Sequence, residues 1–127
     1  MKKTITTINA PAPIGPYNQA VLANGTLYVS GQIGMNPKTM ELVEGKIEEE
    51  TRQVMENLKA VLTAANMDFE HVVKSSIFLS NMDDFAQVNE IYGTYFEAET
   101  APARETVTVK TLPKNVRVEI SMIAQLE

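Results

Sequence analysis

The alternation of apolar and polar residues changes period along the chain, and the changes mark out successive elements. Lys3 to Ile8 alternates with period two, which predicts a first strand. Pro11, Pro13 and Pro16 then forbid a central strand and predict a rigid loop over Ala10 to Pro16. Gln19–Leu22 and Leu27–Ser30 flank Asn24-Gly25, a strong hairpin signal. Gly31 and Gly34 bracket a bend, and Asn36-Pro37-Lys38-Thr39 reads as a turn.

The period then lengthens. Ile47, Thr51, Val54, Leu58, Val61, Leu62 and Ala65 recur at spacings of three and four, which predicts a helix with one buried face from about Ile47 to Asn66. Glu48, Glu49 and Glu50 fall in its first turn, where the helix dipole favours anions. Consecutive carboxylates radiate around a helix, so they read as a solvated N-terminus rather than a metal site. Val72 to Leu79 is nearly continuous in apolar character and predicts a strand buried on both faces. Ser80 and Asp83 are spaced to cap a second helix, Asp84 to Phe96, with the stripe Phe85, Val88, Tyr92 and Phe96.

Two alternating strands close the chain, Ala103–Val109 and Val116–Ile123, joined by Thr111–Asn115. Read as neighbours, they carry Val107, Val109, Val118, Ile120 and Met122 on one face. Arg104, Thr106 and Thr108 share the other with Glu119 and Ser121. The order β-β-β-α-β-α-β-β predicts an α+β fold, a single mixed β-sheet with two helices packed on one face. The remaining sheet face needs cover, and self-association is the simplest source.

Composition narrows the chemistry. A chain of 127 residues, 44% apolar and 21% charged, is expected to form a single domain over residues 1–127. There is no cysteine, which excludes a disulfide scaffold, a thiolate nucleophile and a zinc–cysteine site. A net charge of −5 without a basic cluster argues against nucleic-acid binding. Neither a signal-peptide pattern nor an apolar run of transmembrane length is visible, so no membrane association and a cytoplasmic location are expected.

Arg104 and Glu119 carry the candidate chemistry. Charge on a strand face is ordinarily solvated, or pairs as a structural salt bridge. In a cleft, the same residues offer a guanidinium for a substrate carboxylate and a carboxylate that can hold a water, which suits hydrolysis of a small carboxylic acid.

Several stretches resemble one family. They are Ile14-Gly15-Pro16-Tyr17-Asn18-Gln19-Ala20, Tyr28-Val29-Ser30-Gly31-Gln32-Ile33, Thr51-Arg52-Gln53-Val54-Met55-Glu56-Asn57-Leu58 and Pro102-Ala103-Arg104. The closing run from Leu112-Pro113-Lys114 to Glu119-Ile120 belongs with them. Together they resemble the reactive intermediate deaminase A family (RidA, or YjgF), over about Ile5 to Ala124 without visible gaps. The resemblance implies a fold like the trimeric chorismate mutase of Bacillus, in a homotrimer with active sites in the clefts between subunits. It implies hydrolysis of 2-iminoacids, 2-iminobutanoate and 2-iminopropanoate, released by pyridoxal-phosphate-dependent dehydratases, to 2-oxoacids and ammonia. It implies no cofactor and no metal.

Residue by residue, Arg104 matches the family's carboxylate-binding arginine and Glu119 its water-positioning glutamate. Tyr17 matches the tyrosine of the proline loop, Ser30 and Gly31 the pocket wall, and Asn89 an asparagine at the cleft. Thr106 stands where many members have cysteine, and its backbone N–H remains available to a ligand. Each has a plainer alternative: Tyr17 as packing, Ser30 as a partner for nearby backbone, Gly31 as a conformational requirement, Asn89 as a solvent-facing helix residue. His71 reads as a capping residue, and Arg52 and Arg117 as structural or solvated.

The imine chemistry needs little else. Arginine pairs bidentately with a carboxylate, and a charged hydrogen bond contributes about 1.5–3 kcal/mol. An unperturbed glutamate, with a pKa of about 4.3, is ionised and able to take a proton from water. The competing reading is a regulatory protein that binds small ligands in the same cleft without turnover. A ribonuclease, also attributed to family members, is disfavoured by the acidic charge and the single histidine.

Overall fold

In the computed structural model, described for residues 1–126, six strands form one mixed sheet in the order β1-β2-β3-β6-β4-β5. The strands are β1 (Lys3–Ile5), β2 (Ala20–Ala23), β3 (Thr26–Gln32), β4 (Val72–Leu79), β5 (Ala103–Thr108) and β6 (Val118–Gln125). Two helices, α1 (Ile47–Ala64) and α2 (Phe85–Gly93), make the crossovers from β3 to β4 and from β4 to β5. Only β4 and β5 pair in parallel, as a connection through a helix allows.

Local chemistry explains most element boundaries. Asn24 (φ 52°) and Gly25 (φ 78°) take the left-handed conformations of a type I′ turn, which joins β2 to β3. Glu49 reaches back to the Lys46 N–H and satisfies a free donor at the start of α1. Asn66 (φ 59°) ends that helix in the left-handed region. The Met67 and Asn66 N–H groups return to the carbonyls of Leu62 and Thr63, a Schellman stop.

The second helix differs from its sequence reading. Asn81, not Ser80, supplies the cap, accepting the Asp83 N–H, and a short 3₁₀ turn over Met82–Asp84 precedes α2. β1 is shorter than its alternating run, because Gln19 draws the Thr7 backbone into a loop.

Val54, Leu58, Val61 and Leu62 on α1 are fully buried, as are Leu27, Leu79, Val118 and Ile120 on the sheet. They form one apolar cluster with Val88 and Tyr92 of α2. β4 is tightly buried on this face alone: Ser75, Ile77 and Leu79 are inaccessible, while Lys74, Ser76 and Phe78 stay half-open on the other.

The register corrects the pairing of the closing strands. β5 and β6 are not neighbours, because β4 lies between them. Arg104 sits opposite Ser75 and Thr106 opposite Ile77, on the helix side. Glu119 sits opposite Phe78 and Ser121 opposite Ser76, on the open side. Val107 belongs to the open side and is 41% exposed, whereas Val118, Ile120 and Met122 are buried under the helices. The open face is therefore composed of Tyr28, Phe78, Val107 and Ile123, with Lys74, Ser76 and Glu105 joined by an ion pair and a hydrogen bond.

Candidate functional site

Gly31 and Glu119 meet at an irregularity in the sheet. Between Val29, opposite Met122, and Gln32, opposite Ile120, β3 carries an extra residue, so Ser30 and Gly31 both face Ser121. The bulge lets the Glu119 side chain lie flat over Gly31. A Cβ at residue 31 would come within 2.8 Å of the Glu119 Cδ and 3.1 Å of its Cγ. Gly31 is thus glycine for space, not for a left-handed backbone.

A cleft of about 330 Å³ opens here, lined by Tyr17, Ser30, Gly31, Ile33, Pro113 and Glu119. An adjoining hollow of about 380 Å³ shares Tyr17, Gly31, Ile33 and Pro113 and extends to Ile14 and Met35. Four of the predicted residues, Tyr17, Ser30, Gly31 and Glu119, are therefore brought together. The Ser30 hydroxyl is committed to the Asn18 carbonyl at 2.6 Å. The Tyr17 hydroxyl accepts the Ile14 N–H at 3.4 Å, and its ring is half exposed. Burial pushes the Glu119 carboxyl above its ordinary value. Among the described residues, no cation lies within ion-pair distance of it.

Arg104, Asn89 and Thr106 form a second group on the helix side. Arg104 Nη1 donates to Asn89 Oδ1 at 2.7 Å. Its guanidinium carbon lies 5.1 Å from the centre of the Tyr92 ring and 5.8 Å from that of Phe85. Thr106 follows two residues on, on the same face, with its hydroxyl oxygen shielded and without a partner. Arg104 and Glu119 make no ion pair, since the sheet separates them. The expectation that they share a face fails, because a strand inserted between β5 and β6 changes which residues align.

Three features escape the sequence reading. Gln19, almost fully buried, donates through Nε2 to the Thr7, Ala10 and Pro11 carbonyls and accepts the Thr7 N–H through Oε1, so it moulds the proline loop that carries Tyr17. Glu50 is not solvated. Its carboxylate, 8% exposed, takes the Arg117 Nε at 2.7 Å and the Arg117 N–H at 2.8 Å. It thereby ties the Pro113–Arg117 segment to α1. Phe85, read as core stripe, is exposed and flanks Arg104, and Tyr92, buried in the core as its spacing predicts, also presents its ring to that guanidinium. A glutamine two residues after a tyrosine carries no periodic signal, and neither does one glutamate among three.

The sequence profile of the family described as Endoribonuclease L-PSP matches residues 7–126. This chain belongs to that family. Its relatives include the Rid proteins. The Rid-family protein YyfA of Yersinia pestis shares 50% identity and a TM-score of 0.95, with 98% of this chain and 99% of that one covered. RutC family protein slr0709 of Synechocystis is 54% identical over 98% of this chain and 96% of its own length. The 2-iminobutanoate/2-iminopropanoate deaminase of Rattus norvegicus is 50% identical over 98% and 90%. The family resemblance seen in the motifs is therefore established, and with it the α+β sheet with two helices. No helix of the described residues is long and apolar enough to cross a membrane.

Proposed function

We propose that this Rid-family chain hydrolyses small 2-iminoacids, 2-iminobutanoate and 2-iminopropanoate, to 2-oxoacids and ammonia, at sites shared between subunits of a homotrimer. The observation that carries the reading is Glu119, half-buried in the wall of the cleft and with no cation within ion-pair distance among the described residues of its own chain. Leaving a carboxylate poorly solvated costs stability, and a protein that only bound carboxylates would gain nothing from it. A water-activating base profits, because its raised pKa makes it a better proton acceptor. The rat relative, named for this deaminase reaction, adds support.

Arg104 anchors the substrate carboxylate with the N–H groups that Asn89 leaves free. Because Arg104 and Glu119 lie on opposite faces of one sheet, a site using both needs two chains. The open face of one protomer supplies Glu119 with Tyr17, Ser30 and Gly31, and a neighbour brings Arg104, Asn89 and the Thr106 backbone. The exposed apolar Tyr28 and Val107 suit burial in that contact.

Glu119 takes a proton from water as the oxygen attacks C2 of the protonated imine, forming the C–O bond. It returns that proton to the nitrogen of the resulting carbinolamine. It then accepts the hydroxyl proton while the C–N bond breaks and the carbonyl forms. Ammonia leaves and takes up this last proton as ammonium. One water is consumed, and Glu119 ends ionised.

The test couples the purified protein to a threonine dehydratase and follows 2-oxobutanoate release, with semicarbazide trapping the residual imine. Acceleration of imine loss is expected. Binding of 2-oxobutanoate without any acceleration would leave a regulatory binder as the function.

A further inference from the structure

We propose that Phe85 and Tyr92 are positioning residues for Arg104, holding its guanidinium between aromatic faces in the orientation that receives a carboxylate. The proposal rests on Arg104 being the substrate anchor.

Phe85, Asn89 and Tyr92 are spaced by four and three residues, so they form one stripe of α2. Arg104 reaches this stripe from β5. Both rings stand within the roughly 6 Å at which a ring quadrupole attracts a cation. Asn89 fixes one amino nitrogen. A guanidinium carries five N–H donors, so most remain free for a ligand.

Tyr92 is itself held. It is buried, and its hydroxyl donates to the fully buried Ser75 at 2.9 Å. Ser75 is also the residue opposite Arg104 in the parallel register. Strand, ring and guanidinium are therefore fixed to one another. Burial raises the Tyr92 pKa, and the Ser75 bond and the Arg104 charge oppose that rise. Phe85 has no such anchor and is 37% exposed. A solvent-accessible phenylalanine beside a cation contributes through its π face more than through burial.

A long arginine side chain on an edge strand would otherwise lose its rotamer freedom when the ligand binds. Held beforehand, it meets the carboxylate with that loss already incurred.

Fluorination separates the π contribution from simple packing, because each fluorine withdraws electron density from the ring face while making the ring more hydrophobic. The full chain is made with 4-fluoro-, 3,5-difluoro- and 3,4,5-trifluorophenylalanine at position 85, and 2-oxobutanoate binding is measured by calorimetry beside KM and kcat. Affinity should weaken stepwise with fluorine count, by about two- to fivefold across the series. KM should follow it and kcat change less, with the thermal midpoint unmoved. Phe85→Trp should retain or tighten binding and Phe85→Leu should weaken it. A flat series, or one that tightens, overturns the positioning role while Arg104→Ala still abolishes binding. If Arg104→Ala binds 2-oxobutanoate like wild type, the anchor reading falls and this proposal falls with it.

Discussion

The Glu119 side chain lies flat over the α-carbon of Gly31, and the bulge at Ser30–Gly31 makes the room. A methyl group at residue 31 would meet the Glu119 Cδ at 2.8 Å. In Gly31→Ala the carboxylate must swing away while the backbone, which is not left-handed here, stays in place. Turnover should fall by about 10- to 100-fold, as expected for a reacting group displaced by about 1 Å. The thermal midpoint should change little. A crystal structure of the variant with Glu119 unmoved, or full activity, would contradict this.

Glu119→Gln keeps the shape and removes the base. Turnover should drop by at least about 100-fold while 2-oxobutanoate still binds. The same substitution changes stability with pH in a defined direction. Burial raises the folded-state value above that of an unperturbed glutamate. The neutral form is favoured by folding, so wild type holds its full stability below the unfolded pKa and loses some as pH rises through the folded one. Glu119→Gln escapes that loss. Its melting temperature should match wild type at acidic pH and exceed it at neutral pH. A variant less stable than wild type at neutral pH would refute this sign.

Complementation tests the shared site. Arg104→Ala and Glu119→Gln homo-oligomers should each be inactive. Co-refolded in equal amounts, they should regain activity, because about a quarter of the interfaces in a random mixture pair an intact Arg104 with an intact Glu119 from a different chain. If both groups served from one chain, no mixture would recover. Light scattering on wild type should give a trimer, and a monomer at micromolar concentration would end the intersubunit reading.

The Glu50–Arg117 pair is a structural link that Glu50→Ala should expose. The variant leaves Arg117 without its carboxylate and the Arg117 N–H unpaired. The loss should be about 2 kcal/mol, below the 3–5 typical of fully buried pairs because Arg117 is 43% exposed. Urea denaturation checks it, and a loss under about 0.5 kcal/mol would place the pair among ordinary surface bridges.

Much of the fold is legible in the sequence alone. The helix stripe from Ile47 to Ala65, the Asn24-Gly25 turn and the strand Val72–Leu79 follow from periodicity and turn chemistry, which act over a few residues. The element order then restricts the architecture to a sheet with helices on one side. Motifs near Tyr17, Gly31, Arg104 and Glu119 indicated the family, since several short patterns in fixed order seldom coincide.

Pairing decided the rest. Sequence neighbours β5 and β6 read as sheet neighbours because nothing local reveals that β4 inserts between them. Through their registers with that inserted strand, Arg104 faces α2 and Glu119 the open side, and the bulge at Ser30–Gly31 makes room for the Glu119 side chain. The same long-range packing moved Glu50 from solvent to an ion pair and placed Phe85 and Tyr92 around a guanidinium. By itself the sequence determined which residues are apolar, where the chain turns and which side chains carry charge, because these depend on near neighbours. Only the tertiary structure decided which of those charges share a face, because a strand's side-chain direction reverses with every residue and its register depends on partners distant in the chain.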